Sequence, residues 1–120
     1  MKKIQRKTNP HLVSLISELK KASYKEKTNL WRAIAKELEK PMRKRRTVNI
    51  SKIEKYVNKG ETALVPGKVL SVGSLTKPLT VAALQFSETA KAKINKTGKA
   101  ISIPELMKEN PKGKNIRIIG

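Results

Sequence analysis

Nineteen uncompensated positive charges on a chain of 120 residues set the first limit on how it can fold. The 28 Lys and Arg side chains face only 9 acidic ones. Any compact state must therefore carry most of its cations on the surface, where they repel one another. A chain of this length forms one domain around a modest core, and a hydrophobic content of 38% supports that core. A bound polyanion would relieve the repulsion, and the candidates are nucleic acid and anionic lipid. Lipid usually recruits one basic amphipathic helix or one polybasic tail. Here the excess is spread along the chain. Residues 1–50 hold 15 basic and 4 acidic side chains, and residues 51–120 hold 13 and 5. That distribution fits a protein surrounded by nucleic acid better than one lying on a membrane.

Several function classes fall away at once. Without Cys there is no disulfide framework, no thiolate nucleophile and no Cys-based metal site. The single His, His11, cannot build a multi-histidine centre and reads as structural or as a phosphate contact. The Gly-Lys pairs at Gly67-Lys68, Gly98-Lys99 and Gly113-Lys114 lack the earlier Gly and the following Ser or Thr of a phosphate loop. Neither G-x-G-x-x-G nor H-E-x-x-H occurs, so the expectation is no enzyme, no cofactor, no metal and no small-molecule substrate. The longest apolar stretches, such as Val81-Ala82-Ala83-Leu84, are far short of the ~20 residues of a membrane span. The basic start MKKIQRK is not followed by an apolar run, so the expected location is the cytosol.

Along the chain, residues 1–8 read as a flexible basic arm, with Ile4 the only apolar residue between the basic ones. Asn9-Pro10 signals a helix start, and Leu12, Val13, Leu15, Ile16 and Leu19 recur at helical spacing up to about Ala22. Ser23 to Lys27 reads as a polar turn. A second helix is expected from about Asn29 to Lys40, with Leu30, Trp31, Ile34, Ala35 and Leu38 on its apolar stripe and Pro41 ending it. The two helices suggest a hairpin. Val48 to Ile50 reads as a strand, and Ser51 to Glu54 as a capping box opening a helix that Gly60 stops. Ala63 to Val65 and Val69-Leu70 read as strands on either side of a Pro66-Gly67 type II turn. After a turn at Gly73-Ser74, Leu79 to Leu84 reads as a strand buried on both faces. Ser87 caps a helix ending near Gly98, Ala100 to Ile103 is a strand, Pro104 to Glu109 a short helix and Ile116 to Ile119 a last strand. The fold class is α/β, an alternation of short strands and helices behind a helical N-terminal segment.

Arg43-Lys44-Arg45-Arg46 is the sharpest functional feature. Arg makes up 6 of the 28 basic residues, and half of these fall within four positions. Arg binds phosphate bidentately and stacks on bases, which points to nucleic-acid contact. Tyr24, Trp31, Tyr56 and Phe86 are the only aromatics, and Trp31 and Phe86 fall on apolar stripes. No base-stacking sheet is suggested, so recognition by backbone charge and shape is expected. These readings leave open a DNA-compacting chromatin protein as the alternative to an RNA-binding one.

The stretch from Val65 to Lys91 resembles a known family. Its matching residues are Pro66, Gly67, Lys68, Val69, Leu70, Gly73, Leu75, Thr76, Leu79, Thr80, Val81, Phe86, Ser87 and Ala90. Further matches are Arg45-Arg46 before Val48 to Ile53, then Ser102-Ile103, Glu105-Leu106, Glu109 to Pro111 and Asn115 to Ile119. The chain resembles the archaeal and eukaryotic large-subunit ribosomal protein family numbered eighteen, related to the bacterial protein numbered fifteen. It departs from the family at Ser71, where Gly is common, and at Thr97-Gly98-Lys99, where Ala-Gly-Gly is common. The resemblance implies a compact irregular superhelix of short strands and helices with an N-terminal helical hairpin. Its implied role is structural, within the cytoplasmic large ribosomal subunit. The eukaryotic members carry a C-terminal segment not seen here, which implies an archaeal source. Expected partners are large-subunit rRNA and neighbouring ribosomal proteins. The cations assigned to rRNA contact are Lys2, Lys3, Arg6, Lys7, Arg43, Lys44, Arg45, Arg46, Lys68, Lys77, Lys99, Lys112 and Lys114. One domain is expected over 1–120, comprising the arm 1–8, a helical extension with its basic loop over 9–47 and an α/β core over 48–120.

Overall fold

The computed structural model describes residues 10–39 and 46–119. The arm, the Asn9 cap, the Pro41 stop and the run Arg43 to Arg45 lie outside the described residues, as do the side chains of His11 and Arg46.

Helices α1 (Pro10–Glu26) and α2 (Leu30–Glu39) pack against each other as the expected hairpin. Leu15 and Leu19 of α1 are buried, and Trp31, Ile34, Ala35 and Leu38 of α2 are fully so, at the i, i+3, i+4, i+7 spacing of one helix face. The expected polar turn at 23–27 is corrected: α1 continues to Glu26. The Ser23 hydroxyl donates to the Thr28 carbonyl, and the Thr28 N–H donates to the Ser23 carbonyl at 3.2 Å. Lys27 then takes the left-handed conformation that ends the helix, with φ 54°. No Gly or Pro marks this stop in the sequence.

The rest of the chain alternates strands and helices: β1 (Arg46–Asn49), α3 (Ile50–Tyr56), β2 (Thr62–Leu70), β3 (Thr80–Phe86), α4 (Glu88–Thr97), β4 (Lys99–Ser102), α5 (Ile103–Glu109) and β5 (Ile116–Ile118). The α/β class is as expected. All strand pairings are parallel, in the order β1-β2-β3-β4, with β5 also on β2. β1 pairs with residues 67–70 of β2 and β5 with residues 62–64, so the two share the edge of β2 opposite β3.

Helices cover both faces, which is why the central strands read as continuous apolar runs. Ala63, Val65, Val81 and Ala83 join Ile50, Ile53, Ala90 and Ile94 of α3 and α4 in one cluster. Leu64 and Ala82, the residues between, join the α1–α2 hairpin and Ile103 and Leu106 of α5 in the other. Each fully buried Val, Leu or Ile side chain contributes about 1.5–3 kcal/mol relative to exposure.

The joints bring further corrections. Pro66-Gly67 is not a turn, because β2 runs unbroken from Thr62 to Leu70 with both residues buried inside it. Val65 pairs with Ala83 and Lys68 with Gln85, so three steps along β2 match two along β3. This bulge absorbs the proline, which has no N–H to give to a ladder. The capping box at Ser51–Glu54 is also replaced. α3 starts two residues earlier with Asn49 at its N-cap, and the Asn49 side chain accepts from the Val72 N–H at 3.3 Å instead of capping. The helix ends at Tyr56, before Gly60. A working box forms at Ser102 and Glu105, with Pro104 in the first turn of α5. Ser87 caps α4 as expected, accepting from the Ala90 N–H at 3.2 Å.

Candidate nucleic-acid interface

Several of the carboxylates are engaged within the fold. Glu39 pairs with Lys20 at 2.9 Å and Glu109 with Lys99 at 3.2 Å. Glu61 receives two bonds of 3.1 Å from the Arg117 guanidinium. This holds the Glu61 carboxyl below, and the Arg117 guanidinium above, the ordinary value. Glu54 accepts from the Thr76 hydroxyl at 2.5 Å and the Thr76 N–H at 3.0 Å, and these bonds, the hydroxyl's foremost, hold its carboxyl below the ordinary value. Glu105 completes the α5 capping box, and Glu88 sits in the first turn of α4, where the helix dipole favours it. These acidic groups secure joints of the fold and leave a large cationic surplus facing solvent.

Among the expected contact residues in the described part, the structure separates several environments. Lys68 is exposed on β2, beside Thr47 of β1 and Gln85 of β3, both also exposed. The Arg46 backbone is opposite Gly67, one position from the Thr47–Lys68 pair. Lys112 and Lys114 are exposed on the turn between α5 and β5. The Asn110 side chain closes that turn, donating to the Lys114 carbonyl at 2.7 Å and accepting from the Lys114 N–H at 3.1 Å. Lys99 is exposed but held by Glu109.

Lys77 differs from these. It is half-buried, and its ammonium donates to the Glu54 and Val57 carbonyls at 2.8 and 3.0 Å. These are end-of-helix carbonyls of α3, which otherwise lack partners within the helix. Lys93, not singled out from the sequence, does similar work. It donates to the Ser71 and Gly73 carbonyls at 2.8 and 3.0 Å. No sequence signal separates a lysine that braces a loop from one that faces solvent, because the difference lies in where distant carbonyls end up. We expect Lys77→Met to lower stability by about 1–3 kcal/mol through the loss of charge-assisted bonds to carbonyls. Lys68→Gln should stay within about 0.5 kcal/mol of the parent, as exposed substitutions do. Denaturant titrations of the two variants compare them directly, and equal stabilities would remove the distinction.

Among the described residues, no group of three or more His, Cys, Asp or Glu side chains is placed to hold a metal ion. Nor is any helix there long and apolar enough to cross a membrane.

Comparison with known proteins is consistent along the whole chain. The family model described as "Ribosomal protein 60S L18 and 50S L18e" matches residues 1–120. The "Large ribosomal subunit protein eL18" of Archaeoglobus fulgidus is 50% identical over 115 residues, which is 95% of this chain and 98% of the relative. Its namesake in Methanococcus maripaludis is 49% identical over 120 residues, covering 99% of both chains. That of Haloarcula marismortui is 46% identical over 113 residues, or 94% of this chain and 97% of the relative. With a match from the first residue to the last, this chain belongs to the family of ribosomal proteins 60S L18 and 50S L18e.

Proposed function

We propose that this protein is a structural constituent of the large ribosomal subunit in the cytoplasm of an archaeon, where it binds large-subunit rRNA. The observation that carries this reading is the near full-length identity of about half to archaeal proteins named for that subunit. Physical chemistry supplies the mechanism. Lys and Arg side chains displace the counterions condensed on phosphates and hold together RNA segments that would otherwise repel. Substrate turnover has no part in this role.

The contact surface proposed is the run Arg43, Lys44, Arg45 and Arg46 continued by Lys68, with Lys112 and Lys114 on the α5–β5 turn. The arm residues Lys2, Lys3, Arg6 and Lys7 add to it. Lys99 joins by exchanging Glu109 for phosphate, and Lys77 acts from its loop through its remaining N–H. The chain then works as one domain with a basic arm, a helical extension and an α/β core. Neighbouring ribosomal proteins are further partners.

Replacing Arg43, Arg45 and Arg46 together by Gln tests the surface. The log–log salt slope of binding to large-subunit rRNA should fall by about 0.7–0.9 for each phosphate no longer neutralised. The melting temperature should hold or rise slightly as like charges are removed. An unchanged slope would show that the run is only solvated. Parent protein that sediments with chromosomal DNA and not with large subunits at moderate salt would overturn the ribosomal reading.

A further inference from the structure

Tyr24 is the most exposed large hydrophobic side chain in the described fold, with 89% of its surface open to solvent. A tyrosine ring that packs buries roughly 150–250 Å² of surface, and this one forgoes nearly all of that. Leu19 and Ser23 on the same helix are buried, so Tyr24 stands on the opposite, outward side of α1.

Its surroundings are cationic. Lys20 and Lys21 lie one turn back along the helix, at the roughly 5–6 Å Cβ spacing of helical i, i+3 and i+4 neighbours, and Lys27 follows three residues on, just past the helix end. Lys25 follows directly. Lys21, Lys25 and Lys27 are on the solvent side of this helix end, while Lys20 is held by Glu39 at 2.9 Å. The backbone beneath is anchored. The Ser23 hydroxyl bonds to the Thr28 carbonyl, Lys27 adopts φ 54°, and the Leu30 N–H donates to the Thr28 hydroxyl at 3.3 Å. The ring is therefore offered from a backbone already in place, which lowers the ordering cost of binding.

An exposed aromatic side chain with exposed lysines at neighbouring positions suits an unpaired nucleotide. The ring stacks on the base and the cations take the flanking phosphates. A protein partner would have to cover the same lysines and find carboxylates for them. We propose that Tyr24 is a stacking platform for an unpaired nucleobase of large-subunit rRNA, with Lys21, Lys25 and Lys27 holding the adjoining phosphates. This rests on the reading that the chain binds that RNA. Stacking tolerates any base, so the site selects single-stranded over paired RNA rather than one sequence.

The test compares the full-length parent with Tyr24→Phe and Tyr24→Leu, using protein-free large-subunit rRNA, oligo(A) and an A·U duplex of equal length at fixed salt. Tyr24→Leu should bind the rRNA and oligo(A) about 5- to 150-fold more weakly, the range that stacking of one base supplies. Duplex affinity and melting temperature should be unchanged. Tyr24→Phe, which keeps the ring, should bind like the parent. Parent-like rRNA binding by Tyr24→Leu overturns the platform and leaves the RNA-binding reading intact. If that variant also fails to enter large subunits, Tyr24 docks a neighbouring protein instead. A large loss of melting temperature in Tyr24→Leu would assign the ring a structural role and overturn the platform. Failure of the parent itself to bind the rRNA overturns both readings.

Discussion

Trp31→Ala should destabilise the protein by about 4 kcal/mol, within the roughly 3–5 kcal/mol range for removing a large aromatic from a core. Trp31 is completely buried in the cluster that joins the α1–α2 hairpin to the sheet. Its indole N–H also donates to the Pro111 carbonyl at 2.7 Å, tying α2 to the turn between α5 and β5. The substitution leaves a cavity and takes away that carbonyl's partner. For a domain of this size the loss corresponds to a fall in melting temperature of roughly 15 °C, readable by calorimetry. Trp31→Phe keeps most of the packing and loses the hydrogen bond, so it should fall between parent and Ala. If Phe and Ala cost the same, the hydrogen bond and not the packing is what holds the helical layer.

Gly98→Ala should be nearly as damaging, though it adds only a methyl group. Gly98 ends α4, its N–H donating to the Ile94 carbonyl at 2.7 Å, and passes directly over the backbone that leads into β3. A Cβ there would lie 2.0 Å from the Leu79 carbonyl oxygen and 2.9 Å from the Leu79 carbonyl carbon. That oxygen also accepts the Lys99 N–H at 3.0 Å, at the start of the β3–β4 ladder. The clash is with backbone, so it can be relieved only by moving α4 or β3. Overpacking of this kind costs about 1–3 kcal/mol and occasionally more, and the approach to Leu79 places this case at the upper end. Gly60→Ala is the control. At φ 86° it carries backbone strain, but a Cβ there meets nothing within 4 Å. Its cost should stay near ~1 kcal/mol. If Gly98→Ala is no worse than Gly60→Ala under chemical denaturation, the close approach at Leu79 is not there.

Much of this fold is legible without coordinates because its signals are local. Trp31, Ile34, Ala35 and Leu38 repeat at the period of a helix whatever they pack against. Ser87 caps a helix because its side chain reaches an amide three residues on. Where a local signal competes with a distant partner, reading from the sequence fails. Pro66-Gly67 has the composition of a turn, yet β1 and β3 flank it and keep it in the sheet with a bulge. Ser51 and Glu54 have capping-box spacing, yet Thr76 arrives from the loop before β3 and takes the carboxylate. The box at Ser102 and Glu105 has no such competitor and forms.

The functional surface divides the same way. Net charge is a sum over residues and does not depend on the fold, so the amino-acid sequence alone determines the cationic surplus that favours a polyanionic partner, and the family pattern points to the ribosome. Which lysines are free to meet that partner is a matter of tertiary structure. Lys68 and Lys77 are indistinguishable as residue types, but parallel pairing sets Lys68 beside exposed Thr47 and Gln85, while the loop before β3 folds Lys77 onto the end of α3. The exposure of Tyr24 is decided likewise by α1 continuing past Ala22, where the expected turn would have broken its helix face. An ammonium or a ring goes to whichever groups the chain brings within reach, and only long-range packing determines which groups those are.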